Sequence, residues 1–228
     1  MTKEEFYESL KKIGITLSDD QKQKFILYSS YLQEYNKKVN LTAITNEKDI
    51  YLKHFYDSII SSKFFEFSNQ SVLDIGTGAG FPGIPLLICF PNLKLTLLDS
   101  NNKKTKFLES LKGILKLDYT VFTGRAEDLD QKEEYDVVIS RAVSNLRILL
   151  ELSIPLLKTN GNLIAYKALA KEEITSSDNA LNKLNSKIES VNTIKILDNI
   201  RTIIIINKYS KTNPLYPRSY SKIKKSPL

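Results

Sequence analysis

The chain has 228 residues, 42% of them hydrophobic and 26% charged, enough for one sizeable α/β domain with an extension and a properly buried core. Its opening MTKEEFYESL has no apolar signal-peptide core, and no apolar run approaches the roughly 20 residues that span a bilayer, which argues against secretion or membrane insertion and for a cytoplasmic protein. The formal net charge is +7, and from Asn199 onward there are seven basic residues (Arg201, Lys208, Lys211, Arg218, Lys222, Lys224, Lys225) and no acidic one.

Ser18-Asp19-Asp20-Gln21 reads as a capping box, and Phe25, Ile26, Tyr28, Leu32 and Tyr35 then fall at helical spacing, so a helix is expected that packs on the main domain. Residues 36–45 read as a connection, and a further helix carries Lys53, His54, Phe55, Asp57 and Ser58. After Ser68-Asn69-Gln70 strands and helices alternate: strands at 72–75, 94–98, 119–122, 135–140 and 161–166, helices at 102–115, 145–157 and 171–184. Alternation of this kind means a mostly parallel sheet. Two β-branched runs, 188–197 and 201–206, with Asp198-Asn199 at the turn, predict an antiparallel hairpin at one end of it. The expected division is a helical extension over 1–66, an α/β domain over 67–207 and a basic tail over 208–228. Cys89, alone and inside the apolar IPLLICF, allows neither an internal disulfide nor a cysteine-based zinc site and reads as a core residue. His54 is the only histidine, so no metal is expected.

The stretch VLDIGTGAGFPG, residues 72–83, ends an apolar run in four glycines and so places a glycine loop between the first strand and its helix, where nucleotide-like ligands bind in doubly wound sheets. Two cofactors compete for it. Gly78-x-Gly80-x-x-Gly83 fits the dinucleotide fingerprint by letter, with Asp99 about twenty residues on. The frame is wrong, however: counted from Gly76, the position that lets the helix pack closely is Phe81. Asp74, Gly76, Gly78 and Gly80 instead form the Asp-x-Gly-x-Gly-x-Gly pattern that a site for S-adenosylmethionine needs. The glycines would let the backbone approach the ligand, Asp74 would meet its ammonium group, Asp99 would accept from the ribose hydroxyls, and Ala126 and Glu127 would lie beside the adenine.

The basic C-terminal segment predicts a polyanionic partner. Arg201, Lys208, Arg218, Lys222, Lys224 and Lys225 are its candidate RNA-binding residues, acting by phosphate neutralisation without reading sequence.

GTGAGFPGIP in the loop, LLDS at 97–100, SRA at 140–142, NLT at 40–42, HFYDS at 54–58 and the ending YPR…KKSPL together resemble the glucose-inhibited division protein B family. The resemblance covers nearly the whole chain. It implies a class I S-adenosylmethionine-dependent methyltransferase fold, Rossmann-like, with the N-terminal helices as an extension. It further implies S-adenosylmethionine as donor and N7 of one guanine in 16S rRNA, free or in the small ribosomal subunit, as acceptor. By position it maps cofactor contacts onto Gly76, Phe81, Ala126, Glu127 and Arg141, and makes Asn40, His54, Asp57 and Ser58 candidates for the pocket edge. The chain departs from the family pattern where Ala168 follows Lys167 and where SYSKI follows Arg218.

Guanine N7 carries an unprotonated lone pair, so direct in-line methyl transfer needs no general base, and the protein's task is positioning. Arg125, Arg141 and Lys167, at the C-terminal ends of the third, fourth and fifth strands, are the candidate catalytic residues, as ligands for guanine O6 or for phosphate. The target base is expected to be unpaired or extruded, since the A-form major groove hides N7. A monomer is expected. A nicotinamide-dependent dehydrogenase and a non-enzymatic ribosome assembly factor are the alternatives.

Overall fold

The computed structural model describes residues 1–141, 144–196 and 199–228. Ala142 of the SRA motif, Leu197 at the expected end of the first hairpin strand and Asp198 of its turn lie outside the described residues. In chain order the elements are α1 (Lys3–Lys11), α2 (Asp19–Asn36), α3 (Glu47–Asp49), a π-helical stretch (Ile50–Tyr56), α4 (Asp57–Ile59), a 3₁₀ stretch (Ile60–Lys63), β1 (Ser71–Ile75), α5 (Gly83–Cys89), β2 (Lys94–Asp99), α6 (Asn102–Leu115) and β3 (Thr120–Thr123). They continue with β4 (Tyr135–Arg141), α7 (Leu146–Ser153), β5 (Leu157–Lys167), α8 (Lys171–Thr175), α9 (Asp178–Lys183), β6 (Ser186–Ile196), β7 (Asn199–Lys208) and α10 (Tyr220–Lys225). The fold is α/β, mostly parallel, with one antiparallel hairpin. Two compact units contain these elements, one of Met1–Asn69 with Thr77–Thr123, the other of Gln70–Gly76 with Gly124–Leu228.

In the first unit the N-terminal helices and the segment after the glycine loop share a core. The Ser18 capping box forms as its spacing predicts: the Gln21 amide N–H donates to Ser18 Oγ at 3.2 Å and the Ser18 N–H to Gln21 Oε1 at 2.8 Å. Gln21 does more than cap, because its Nε2 also donates to the Ile88 carbonyl at 2.7 Å and so ties the start of α2 to α5. Helix α1, which was not among the expected elements, has its own capping box at Thr2 and buries Phe6 and Leu10. Phe6 meets Phe25 edge-on at 5.0 Å and Tyr51 at 5.3 Å, while Phe25 meets Phe55 at 5.1 Å. Each buried ring of this cluster contributes about 1.5–3 kcal/mol through loss of water contact. Tyr31 of α2 stacks on Phe107 of α6 at 5.5 Å. Strands β2 and β3 pair in parallel, with Leu98 opposite Phe122. Cys89 is buried, and burial pushes its thiol pKa up, as a core residue requires.

The second unit is built on the strand order β1-β4-β5-β7-β6. β1 and β4 are parallel with Leu73 opposite Val138, as are β4 and β5 with Ile139 opposite Ile164. β7 then runs antiparallel to β5, with Ala165 opposite Ile204, and β6 antiparallel to β7. The run Ile203 to Ile206 is buried throughout, as a strand covered on both faces must be. β6 carries exposed Lys187, Glu189 and Lys195, charges of the kind that disfavour edge-to-edge pairing of strands. The single helix expected over 171–184 is two, α8 and α9, because the Ser177 hydroxyl turns back to the Ile174 carbonyl at 2.7 Å and competes with the helical pattern. Residues beyond β7 fold back onto this unit: Asn185 Nδ2 donates to the Lys211 carbonyl at 2.7 Å, and Ile223 and Leu228 are buried.

Candidate active site

The expected cofactor residues divide between the two units, Gly78, Gly80, Phe81 and Asp99 in the first, Asp74, Gly76, Ala126, Glu127 and Arg141 in the second. Within the first unit the loop after Thr77 is a tight turn: the Thr77 N–H donates to the Leu98 carbonyl at 3.1 Å, and the Phe81 N–H returns to Thr77 O at 2.8 Å. Gly76, Gly78 and Gly80 all have positive φ, 69°, 63° and 98°, which L side chains rarely adopt.

Space separates the roles of two of these glycines. A Cβ on Gly80 would stand 2.6 Å from both Ile84 Cδ1 and Tyr28 Oη, and the Tyr28 hydroxyl donates to the neighbouring Ala79 carbonyl. The packing of α2 against the loop is therefore reason enough for glycine at position 80, beside the ligand approach expected of it. A Cβ on Gly78 would meet nothing within 4 Å. That open space is what a bound ligand needs.

Asp99 closes the loop from the end of β2. Its Oδ2 accepts from the Gly78 N–H at 2.9 Å and its Oδ1 from the Asn101 N–H at 2.9 Å, with Lys104 Nζ 3.5 Å away. A carboxylate has about four acceptor sites, so Asp99 keeps capacity for ribose hydroxyls after making these bonds. Phe81 is sandwiched between His54 and Tyr28, with ring centroids 4.3 Å and 5.4 Å away and nearly parallel planes. Thr42 Oγ1 lies 2.9 Å from His54 Nε2, so the NLT and HFYDS motifs meet the glycine loop at this sandwich. His54 is thus a packed, hydrogen-bonded histidine on a π-helical stretch, a local geometry that no residue pattern announced. Asp57 and Ser58 are buried, and the Ser58 hydroxyl donates to the His54 carbonyl at 2.5 Å.

Within the second unit Asp74 is fully buried on β1, opposite Ile139. Ala126 is buried in a short 3₁₀ turn, with Glu127 beside it at 7% side-chain exposure. Arg141, half-buried, ends β4 opposite Tyr166, which places it next to Lys167 at the ends of adjoining strands. The Lys167 ammonium donates to Glu173 at 2.8 Å and also to the Ser144 carbonyl. Two of its three N–H groups are thereby spent on holding α8 and the segment before α7, and one remains. Arg201 Nη1 reaches the Lys167 carbonyl at 3.3 Å, at the same strand end. Arg125 keeps 53% of its side chain exposed and lies over the ring of Tyr220, 5.0 Å from its centroid.

The basic segment divides in two. Lys208, expected to bind RNA, has 0% exposure; it donates to Glu133 at 3.0 Å and to the Leu157 carbonyl at 2.7 Å. A side chain without surface cannot neutralise a phosphate, so that expectation is corrected. Burial lowers the Lys208 pKa, with Glu133 pulling the other way. Arg218 is likewise engaged: its Nε and Nη2 donate to the two oxygens of the fully buried Glu151 at 2.7 and 2.6 Å, and its backbone N–H adds a third bond at 3.0 Å. Lys222, Lys224 and Lys225 are exposed. Neither Glu151, Glu173 nor Tyr220 was singled out by sequence: the partners of Glu151 and Tyr220 lie far along the chain, and Glu173 meets Lys167 only across the loop between β5 and α8. No cluster of metal-binding side chains is found among the described residues, and no helix there is long and apolar enough to cross a membrane.

Methyltransferases are among the solved structures that share this fold. A methyltransferase from Pyrococcus furiosus aligns with a TM-score of 0.57 at 17% identity, covering 66% of this chain and 81% of that one. TYW2 of M. jannaschii, solved in complex with AdoMet, aligns with a TM-score of 0.55 at 19% identity, covering 68% and 76%. At that identity the likeness shows the class I methyltransferase fold alone. A family model described as GidB, rRNA small subunit methyltransferase G, matches residues 21–204, and the chain belongs to that family. Ribosomal RNA small subunit methyltransferase G of Bacillus licheniformis is 45% identical over 237 residues, covering 100% of this chain and 99% of that protein. The protein of the same name from Streptococcus agalactiae is 44% identical, covering 100% of both. Membership of this family decides between the two cofactors in favour of S-adenosylmethionine.

Proposed function

We propose that this protein methylates N7 of a guanine in the RNA of the small ribosomal subunit, with residues that position rather than exchange protons. It is an S-adenosylmethionine-dependent rRNA methyltransferase; the acceptor atom and the roles of single residues are the proposal. The observation that carries the cofactor site is the open face of Gly78 beside the acceptors of Asp99. When bound, S-adenosylmethionine supplies a methyl group on a cationic sulfur, which a lone pair takes by in-line displacement. Asp99 would hold the ribose, Asp74 the ammonium group, and Ala126 and Glu127 the adenine. Gly76, Phe81 and Arg141 are cofactor contacts by family position.

N7 and O6 share one edge of guanine and both accept hydrogen bonds. Arg141, and Lys167 through its remaining N–H, are suited to hold O6 or a phosphate while N7 faces the methyl. Holding reacting atoms about 3–3.5 Å apart accounts for much of the rate in reactions of this kind. The exposed lysines of α10 fit a 16S rRNA or subunit partner.

The test is transfer of labelled methyl from S-adenosylmethionine to small subunits and to naked 16S rRNA, both from cells lacking the gene, followed by nucleoside analysis. Label in 7-methylguanosine is the expected result. Label in another nucleoside overturns the N7 assignment, and cofactor binding without any transfer favours the assembly-factor reading.

A further inference from the structure

We propose that the residues after β7 form a fixed arm that holds an Arg125–Tyr220 stack as a platform for an unpaired base of the RNA substrate. This rests on the rRNA methyltransferase reading above. The guanidinium of Arg125 sits 5.0 Å from the Tyr220 ring centroid while the Arg125 side chain keeps 53% of its surface. Tyr220 therefore steadies the cation without covering it. Arg125 directly precedes Ala126 and Glu127, so the pair adjoins in the chain the segment assigned to the adenine.

Position is what the arm supplies. Tyr220 opens α10, which is pinned ahead by the three hydrogen bonds from Arg218 to buried Glu151, and within and behind by Ile223 and Leu228, 0% and 6% exposed. A bidentate arginine–carboxylate pair is geometrically specific, and the added backbone bond fixes the chain just ahead of α10 on Glu151. Lys222, Lys224 and Lys225 are exposed on the same short helix, and no acidic residue follows Asn199. Unpaired RNA is bound by this combination, since bases stack on aromatic rings and guanidinium planes while lysines meet phosphates. N7 is within reach of side chains mainly where the RNA is unpaired, so the substrate brings such bases to the site.

Tyr220→Phe, Tyr220→Leu, Tyr220→Ala and a triple Lys222→Ala/Lys224→Ala/Lys225→Ala variant test the proposal. Tyr220→Phe should match the wild type, because the ring remains. Tyr220→Leu and Tyr220→Ala should raise KM for the RNA on the order of tenfold with kcat nearly unchanged. Affinity for S-adenosylmethionine and the salt dependence should not move, since the ring carries no charge. The triple variant should instead lower the salt slope by about 2–3. Melting temperature checks folding, and Tyr220→Leu keeps the packed bulk if the alanine variant is unstable. Wild-type KM in a folded Tyr220→Leu variant overturns the platform. Failure of the wild-type protein to methylate any RNA would overturn the functional reading instead, so the two failures are distinct.

Discussion

Gly78 and Gly80 are two positions apart, share a positive φ and have different reasons to be glycine. Gly80→Ala would drive a methyl group into Ile84 and Tyr28 as well as straining the backbone, at a cost of roughly 2–4 kcal/mol. In Gly78→Ala the strain alone remains, about 1 kcal/mol, but the methyl enters the open space assigned to the ligand. Urea denaturation and calorimetric titration with S-adenosylmethionine should therefore separate them: Gly80→Ala loses mainly stability, Gly78→Ala mainly cofactor affinity. Lys208 makes a similar point about charge. Its burial means that Lys208→Gln should leave the salt slope of RNA binding unchanged, whereas a surface lysine on the phosphate backbone lowers it by about 1. Counting basic residues groups Lys208 with Lys222; only burial tells them apart.

At the scale of elements, ion pairs hold the second unit's strand ends and arm. Arg218→Ala would strand the Glu151 carboxylate with no surface to hydrate it, and should destabilise the fold by about 3–5 kcal/mol in denaturant titration. Glu151→Leu combined with Arg218→Met should recover most of that loss, because no buried charge is left. Asp136 joins β1, β4 and β5: it accepts from the Ser71 N–H and hydroxyl at 2.9 and 2.6 Å and from Lys158 at 2.7 Å. Burial raises its pKa, but the bonds from Lys158 and Ser71 outweigh burial and leave it below its ordinary 3.8. A lowered folded-state value means that Asp136 stabilises fully above the unfolded pKa and loses this as pH falls through the folded one. Melting curves between about pH 5 and pH 2 should show a smaller loss of stability in Asp136→Asn than in the wild type. Most elements were legible in advance at this scale. Residues 102–115 were expected as a helix and form one, because an amphipathic period is a local property. α8 and α9 were expected as one helix, because the competition of Ser177 with the helical pattern is a matter of side-chain geometry rather than period.

For the molecule as a whole, the +7 charge is less available than its count suggests, since Arg218 and Lys208 of the C-terminal seven are engaged by carboxylates. Deleting residues 210–228 should consequently lower the melting temperature as well as weaken RNA binding, because Glu151 loses Arg218 and the core loses Ile223 and Leu228. A deletion that abolished RNA binding with an unchanged melting temperature would contradict the packed arm. The amino-acid sequence by itself determined the Ser18 capping box, the alternation of strands and helices, the glycine loop with its following aspartate, and through its motifs the family. Each of these is a signal carried within a few residues or a period. Only the tertiary structure decided which glycine serves packing, which lysines have surface, and that Arg125 meets Tyr220 and Arg218 meets Glu151. Those partners are separated along the chain by many helices and strands, and burial and hydrogen bonding act on distance in space, which no local pattern encodes.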